Sequence, residues 1–303
     1  MQFSRRDFTK ASLGAGVLMA ARGVSAEEPL LKRAIPSTGE EVPIVGVGTN
    51  RYGVGDDQAA RAPLRASLER FHELGGTLID TAPMYRSSEQ VLGELVDELG
   101  IADNLFMATK VDVEGNDAVT ERMERSFRRL RYSTMDLMQC HNLIGWREAI
   151  PRMKDWKAEG RVRYVGITTS SGNQYGDFER IMRDHDLDFV QVNYSLAGQR
   201  TSADRLLPLA ADRGMAVLLN RTFGGGGVFS TLAGVELPPW TAEFDCSSWG
   251  QFLLKYALSH PAVTAAAVGM TKAHHVTDNM GAATGRMPTV AHRRRMEAFF
   301  DAL

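Results

Sequence analysis

Short apolar runs alternate with helical patterns along most of the chain. Between these runs, apolar residues recur every three or four positions, as at Leu64, Leu68, Phe71 and Leu74. That spacing places one apolar stripe on each helix, where it can cover a sheet. Eight strand–helix units of about 30 residues predict an α/β fold, a (β/α)₈ TIM barrel. The predicted strands are Val45–Thr49, Thr77–Asp80, Leu105–Lys110, Asp136–His141, Val162–Thr168, Phe189–Tyr194, Ala216–Asn220 and Ala265–Val268.

Two segments depart from this alternation. Leu30–Glu41, before the first barrel strand, has the pattern of a β-hairpin with Ser37, Thr38 and Gly39 in its turn. After the seventh strand, four consecutive glycines open a longer insertion that runs to Pro239. A glycine run is often a flexible linker, but it also lets backbone N–H groups approach a phosphate closely. We expect the second role here, because the run directly follows a barrel strand.

Titratable residues follow three consecutive strands. Asp80 ends one strand and Tyr85 follows five residues later, while Lys110 and His141 end the next two strands. Singly, each is more often a turn or solvated loop residue. The C-terminal ends of parallel barrel strands gather on one face, where active sites lie. We therefore expect these four side chains to converge.

This set of groups suits the reduction of a carbonyl. The ordinary pKa of a tyrosine is about 10, too high for an efficient proton donor at neutral pH. A neighbouring Lys110 cation would lower the pKa of Tyr85, and Asp80 would hold that cation in place. A neutral His141 can donate a hydrogen bond to a carbonyl oxygen. No side chain delivers hydride, so a nicotinamide cofactor is implied.

At these positions the sequence resembles the aldo-keto reductase family. The resemblance also covers later segments in family order, over about 250 residues, and the hairpin resembles the family's lid over the closed end of the barrel. Its motifs are Gly46-Val-Gly48-Thr49, Asp80-Thr-Ala-x-x-Tyr85, Ser88-Glu89-x-x-Leu92-Gly93, Thr109-Lys110, Asp136-Leu-x-Gln-x-His141, Val165-Gly166-Ile167, Gln191-Val-Asn193-Tyr194 and Asp278-Asn279.

The resemblance implies the residues that contact a dinucleotide. Lys272 is the point charge expected for an adenosine 2′-phosphate, so NADP(H) is favoured and NAD(H) stays open, because many NADPH-preferring relatives carry Arg where His275 aligns. Relatives often have Ser-Asn where this chain has Thr168-Thr169, and a stacking Tyr near Arg221. The predicted cofactor contacts are Gly48, Thr49, Thr168, Gln191, Arg221, Gly224, Gly225, Thr271, Lys272, His275 and Asn279.

Loops after the strands would form the substrate pocket, since loops carry most of the variation in this fold. We predict pocket positions at Tyr52, Met84, Asn142 and Trp146. Two interpretations of Trp146 remain open. Its side chain either forms a wall of the pocket or fills the core beneath the following helix.

The N-terminus reads as an export signal. Ser4–Lys10 is close to a twin-arginine motif, an apolar stretch from Ala11 to Ala21 follows it, and Val24-Ser25-Ala26 offers a cleavage site. We predict a signal peptide at residues 1–26, a barrel at residues 27–303, transport by the twin-arginine translocase, and a periplasmic or secreted protein. The alternative is a basic N-terminal tail.

The charge balance and the cysteine count limit the classes of partner that the protein can bind. Of 35 basic and 37 acidic residues, four and one fall in the predicted signal, which leaves 31 basic and 36 acidic. That balance argues against a nucleic-acid partner, and no further segment predicts a membrane anchor. Cys140 and Cys246 are too few for a disulfide framework or metal cluster. We favour two buried thiols but leave their pairing open.

Two other functions remain alternatives to a reductase. If the protein is exported, it is separated from the cytoplasmic pool of nicotinamide cofactor. It could then be a nucleotide-loaded binding or redox-sensor module with little turnover. A metal-dependent hydrolase on the same barrel is disfavoured, because no strand ends in a His-x-His pair. We predict no metal site.

Overall fold

The structure is a computed structural model that describes residues 29–303, so the predicted signal peptide lies outside the described residues. Its strands are β1 Lys32–Ala34, β2 Glu41–Pro43, β3 Val45–Gly48, β4 Leu78–Asp80, β5 Phe106–Val111, β6 Met135–Cys140, β7 Val162–Thr168, β8 Phe189–Asn193, β9 Ala216–Asn220 and β10 Ala265–Gly269. Its helices are α1 Gln58–Glu73, α2 Ser88–Leu99, α3 Asn116–Leu130, α4 Trp146–Ala158, α5 Tyr175–Asp184, α6 Thr201–Asp212, α7 Val228–Thr231, α8 Trp249–Leu258, α9 Ala273–Met280 and α10 Val290–Asp301.

Strands β3 to β10 close into a barrel of parallel strands in chain order, with β10 pairing back onto β3. The predicted (β/α)₈ architecture is confirmed, and each strand begins and ends within one residue of its predicted limits. The apolar runs located the strands well because a parallel strand covered by helices is buried on both faces.

Apolar side chains form two separate cores. The larger lies between the strands and the surrounding helices, and includes the predicted helix stripe at Leu64, Leu68 and Phe71. The smaller fills the barrel interior and includes Leu78 and Phe106. Both cores are buried, so the barrel is a packed solid and not a pore.

The predicted hairpin is confirmed, with β1 and β2 antiparallel. Ile35 and Val42 from the hairpin join the interior core and cover the N-terminal ends of the barrel strands, which we call the closed end. Arg33 fastens the hairpin by donating to the carbonyls of Leu258 (2.7 Å) and Val263.

Inward-facing residues change character along the strands. Alternate positions face the interior, and those near the closed end are apolar, as at Leu78 and Leu218. One step further along, the inward positions carry polar groups, such as Asp80 after Leu78 and Asn220 after Leu218. The polar ring therefore lies at the C-terminal ends of the strands, which we call the open end.

Both cysteines are buried and have free thiols. Cys140 packs in the outer core, away from the barrel interior, because it alternates with inward Gln139 and His141 along the chain. Burial raises the pKa of the Cys140 thiol to about 12, so this thiol is a packing group and not a nucleophile. Within residues 29–303, none of the helices has the length and apolarity needed to cross a membrane.

Candidate active site

Two of the predicted catalytic residues form a buried ion pair at the open end. Lys110 Nζ donates to Asp80 Oδ1 at 2.8 Å and Oδ2 at 2.7 Å, and also to the carbonyl of Thr81 at 2.7 Å. The pair forms because Asp80 lies opposite Ala108 in the β4–β5 ladder, and Lys110 is the next inward residue of β5. The ammonium thus has acceptors on both Asp80 and Thr81, which fixes the position of the charge.

Tyr85 and His141 lie against this pair. The ammonium of Lys110 lies 5.4 Å from the centre of the Tyr85 ring. The rings of Tyr85 and His141 meet edge to face with centres 6.0 Å apart. The four predicted residues therefore converge, and we call Asp80, Tyr85, Lys110 and His141 the tetrad.

The surroundings set the charge states of the tetrad. Burial opposes the charge on Lys110, but Asp80 and Tyr85 outweigh it, so the pKa of Lys110 is raised. The Lys110 cation lowers the pKa of Tyr85, as predicted, but burial and the Asp80 carboxylate outweigh it and the net direction is upward. Burial, together with the Lys110 cation, lowers the pKa of His141 to about 3. At neutral pH the site therefore presents a protonated phenol beside an ammonium and a neutral imidazole.

The segment after Tyr85 holds the tetrad in place. Ser88 Oγ donates to the carbonyl of Thr49 at 2.9 Å, and Thr109 Oγ1 donates to buried Glu89 at 2.7 Å. Gly93 lets α2 approach the end of α3, since a Cβ there would lie 2.2 Å from the carbonyl oxygen of Arg129. The motif at Ser88, Glu89 and Gly93 is thus a scaffold behind the tetrad.

Several buried polar atoms at the open end have no hydrogen-bond partner among the described residues. They include Gln191 Nε2, Gln139 Oε1, Asn220 Oδ1 and His141 Nδ1. Buried polar groups are nearly always hydrogen-bonded in native proteins. These orphaned donors and acceptors therefore fit a polar ligand, such as an amide that both donates and accepts.

Two predicted cofactor contacts have side chains that are hydrogen-bonded within the chain. Thr49 is fully buried, and its hydroxyl donates to the carbonyl of Asp80 at 3.1 Å. The hydroxyl of Thr168, also buried, accepts from the N–H of Asn142 at 3.0 Å and so positions the loop after His141. Both threonines hold backbone that carries the tetrad, whereas neighbouring Gly48 is only partly buried.

The loop after β9 brings a cation to the glycine run. Arg221 is exposed, and its guanidinium lies next to Gly225. A Cβ built on Gly225 would lie 3.6 Å from Arg221 Nη2. Gly224, Gly225 and Gly226 all have positive φ, between 59° and 95°. Those angles suit glycine. A Cβ at Gly226 would meet nothing within 4 Å, so the turn has open space at that residue, as a bound phosphate would need.

The loop after β10 presents a second cationic region. Lys272 is exposed at the start of α9, and Thr271 is half-buried beside it. His275 is exposed, and slight burial with the neighbouring His274 and Lys272 lowers its pKa. Asn279 is buried between α8 and α9, behind Gly250, where a Cβ would lie 3.2 Å from Asn279 Oδ1. The region offers one permanent cation to an anion.

A protein-family model decides the classification. The model described as the aldo/keto reductase family matches residues 44–293. The chain belongs to the aldo/keto reductase family. The predicted family is confirmed, and with it an oxidoreductase class.

Curated relatives of this aldo-keto reductase include two bacterial proteins. Aldo-keto reductase YhdN of Bacillus subtilis is 30% identical over 206 residues, which cover 61% of this chain but only 60% of that protein. Methylglyoxal reductase YeaE of Escherichia coli is 30% identical over 244 residues, which cover 77% of this chain and 83% of that protein.

Solved structures share the fold. An aldo/keto reductase from Klebsiella pneumoniae in complex with NADP and acetate superposes with a TM-score of 0.72 at 23% identity, covering 89% of this chain and 96% of that one. A Klebsiella pneumoniae aldo-keto reductase in complex with NADPH superposes with a TM-score of 0.74 over the same shares.

The predicted substrate pocket of this aldo-keto reductase is partly wrong. Tyr52 is 0% exposed, and its hydroxyl donates to the carbonyl of Met270 at 2.9 Å, so it is a core residue that joins two loops. Met84 is 49% exposed and lines a pocket with Tyr85. Asn142, half-buried after His141, takes a left-handed φ of 51°.

Trp146 packs in the helical layer. Its ring meets His185 edge to face at 5.7 Å, and the guanidinium of Arg180 lies 5.6 Å from its centre. It also packs against the outer core. These contacts favour the interpretation of Trp146 as a filler in the helical layer.

Sequence reasoning missed four residues at the open end. Gln139 donates to Asp80 at 3.2 Å, and Asn220 donates to the carbonyl of Thr169 at 3.0 Å. Both lie on the inward face of their strands, so counting alternate positions back from His141 and on from Leu218 would have found them. Arg51 and Arg86 line the pocket beside Tyr85, and lone loop arginines carry no such signal.

Proposed function

We propose that this protein reduces an aldehyde or ketone to an alcohol with a nicotinamide cofactor, with Tyr85 as the proton donor. The observation that carries the proposal is the buried Asp80–Lys110 pair directly beside the Tyr85 and His141 rings. These groups match the polarity change when hydride reaches a carbonyl carbon and negative charge develops on its oxygen.

Each residue of the tetrad has a distinct role in the proposed step. A bound reduced nicotinamide supplies the hydride. Tyr85 gives its phenolic proton to the carbonyl oxygen, and the Lys110 ammonium stabilises the phenolate that remains. Asp80 holds Lys110, and neutral His141 donates a hydrogen bond that orients the carbonyl.

The residues present fit a nicotinamide dinucleotide. The orphaned Gln191 Nε2 and Asn220 Oδ1 offer a donor and an acceptor for a carboxamide. Arg221 with the glycine turn suits a pyrophosphate, and Lys272 suits a 2′-phosphate, so we propose NADP(H) in preference to NAD(H). The NADP- and NADPH-bound Klebsiella structures, which share the fold, support this preference.

The proposal is tested by following NADPH oxidation with a panel of aldehydes and ketones. The panel includes methylglyoxal, because the Escherichia coli relative is called a methylglyoxal reductase. We expect turnover in the parent and a loss of at least about 100-fold in Tyr85→Phe, the usual contribution of a positioned proton donor. Equal rates in the two proteins would contradict the role of Tyr85. Tight nucleotide binding without turnover in the parent would favour the sensor alternative.

We propose further that the chain is exported by the twin-arginine route to the periplasm or outside, which the Arg5-Arg6 pair supports. Because that route carries folded proteins, the nucleotide would be loaded before export. Replacing both arginines by lysine should leave the protein in the cytoplasm of a bacterial host, as measured by cell fractionation. Unchanged export of that variant would overturn this proposal and would not affect the proposed reductase activity.

A further inference from the structure

We propose that the substrate of this site carries a carboxylate or phosphate group, bound by Arg51 and Arg86 beside Tyr85. This inference rests on the proposed function, because the pocket that the two arginines line also includes Tyr85, the proposed proton donor. It names a substrate class that the tetrad by itself leaves open.

The pocket beside Tyr85 has a one-sided charge. It has a volume of about 400 Å³ and is lined by the loop after β3 and the loop after β4. Its lining residues include Arg51, Arg86 and Asn50, and no aspartate or glutamate. A pocket of this volume suits a small molecule, and its charge suits an anion.

Neither guanidinium is used by the protein itself. Within residues 29–303, Arg51 and Arg86 make no ion pair or side-chain hydrogen bond. Arg61, in the first turn of α1 after the same loop, shows the contrast, since it pairs with Asp56 at 3.1 Å and Glu94 at 2.8 Å. The nearby carboxylates are therefore already occupied, and the two pocket arginines remain available to a ligand.

The two loops are locked together, so the arginines occupy defined positions. A Cβ at Gly53 would lie 2.4 Å from the carbonyl oxygen of Tyr85, which shows how closely the loops pack. The N–H of Gly55 also donates to Ser87 Oγ at 2.9 Å. The backbone that carries both arginines is therefore fixed, and only their exposed side chains have to be ordered when an anion binds.

Arg86 also has a strained backbone conformation. Its φ is 58°, in the left-handed region, where a residue other than glycine or asparagine costs about 1–2 kcal/mol. Strained residues of this kind cluster at ligand-binding sites. The guanidinium fork binds carboxylate and phosphate oxygens in pairs, which a neutral carbonyl compound cannot reproduce.

The test compares matched substrates. Succinic semialdehyde is set against butanal, and glyceraldehyde 3-phosphate against glyceraldehyde, with NADPH in excess. We expect kcat/KM in the parent to favour at least one anionic member by about tenfold or more, as charge-assisted hydrogen bonds allow. The pair with the larger ratio identifies the anion as carboxylate or phosphate.

Variants assign the effect to the two arginines. The double variant Arg51→Gln, Arg86→Asn should lower the anionic-to-neutral ratio about tenfold, mainly through KM, and asparagine tolerates the left-handed φ. Arg128→Gln, an exposed arginine on α3, is the control and should leave the ratio unchanged. Added salt should lower the ratio in the parent and not in the double variant.

The outcomes separate this inference from the proposed function. Turnover of both members of each pair with equal kcat/KM, or a ratio that the double variant leaves unchanged, would overturn the anionic substrate and leave the reductase standing. A parent that reduces no carbonyl compound would overturn the proposed function itself. A double variant with the parental melting temperature shows that a lowered ratio is not caused by unfolding.

Discussion

The two ends of the barrel treat their polar groups in opposite ways. At the closed end, Arg33 and Tyr164 find partners within the chain, on backbone carbonyls and on Glu40. At the open end, Gln191 and His141 keep buried polar atoms without a partner among the described residues. One end is therefore built for stability, and the other leaves polar groups for a ligand.

Local packing explains the difference. The hairpin covers the closed end and supplies the missing partners, whereas the loops after β9 and β10 leave the open end accessible. An unpaired buried polar group costs about 1–3 kcal/mol, so the open end is less stable than it would be with matched partners. Substitutions at each end of the barrel test this difference between the closed and the open end.

The largest effect is expected from Lys110→Met at the open end. It leaves the Asp80 carboxylate buried without its cation, which should lower the free energy of unfolding by about 3–5 kcal/mol. NADPH-linked turnover should fall at least about 100-fold, because Tyr85 loses the charge that stabilises its phenolate. Denaturant unfolding and steady-state rates measure the two effects.

The double variant Lys110→Met, Asp80→Asn is the matched control. It removes both charges and should recover much of the lost stability without recovering turnover. Full stability in the single variant would show that the pair is not buried as described.

Arg33→Met tests the closed end. The carbonyls of Leu258 and Val263 lose their donor, so the free energy of unfolding should fall by about 1–3 kcal/mol. Turnover at saturating substrate should stay within about twofold of the parent. A large fall in turnover without a loss of stability would contradict the division between the two ends.

Acid should destabilise the fold through His141. Its pKa is about 3 in the folded chain against an ordinary value of 6.5, so between these values the unfolded chain binds a proton that the folded chain does not. The free energy of unfolding therefore falls as pH falls through this window, by at most about 1.4 kcal/mol per pH unit.

The His141→Asn variant isolates this effect, because asparagine does not titrate. Its unfolding free energy should depend less on pH between 6.5 and 4 than that of the parent. Identical pH dependence in the two proteins would show that His141 is not held neutral by its surroundings.

Gln191→Leu is expected to have the smallest effect, and of opposite sign on stability. It removes a buried donor without a partner, so the free energy of unfolding should rise by about 1 kcal/mol or stay unchanged. Nucleotide affinity, measured by calorimetry, should fall about fivefold because one contact to the carboxamide is lost. A loss of stability with unchanged affinity would place Gln191 among the packing residues.

Sequence patterns predicted the barrel and the convergence of the tetrad closely, because both follow from strand periodicity. Asp80 and Lys110 meet since each occupies an inward position at a strand end. Tyr52 was misplaced because a loop tyrosine looks the same in sequence whether its hydroxyl faces a pocket or, as here, the carbonyl of Met270.

The sequence could not predict the direction in which the pKa of Tyr85 is shifted, since that direction depends on burial as well as on Lys110 and Asp80. Arg51 and Arg86 belong to the same class of omission. Their importance lies in a pocket lining without aspartate or glutamate, and that is a property of how two loops pack.

The most direct test of the central claim follows hydride itself. NADPH carrying deuterium in both hydrogen positions of the reactive nicotinamide carbon is incubated with the protein and an aldehyde that it reduces, and the alcohol is analysed by mass spectrometry and NMR. We predict one deuterium on the carbinol carbon, formed by the parent and reduced at least about 100-fold in rate in Tyr85→Phe. An alcohol without deuterium, or equal labelling rates in the two proteins, would contradict a reductase in which Tyr85 donates the proton.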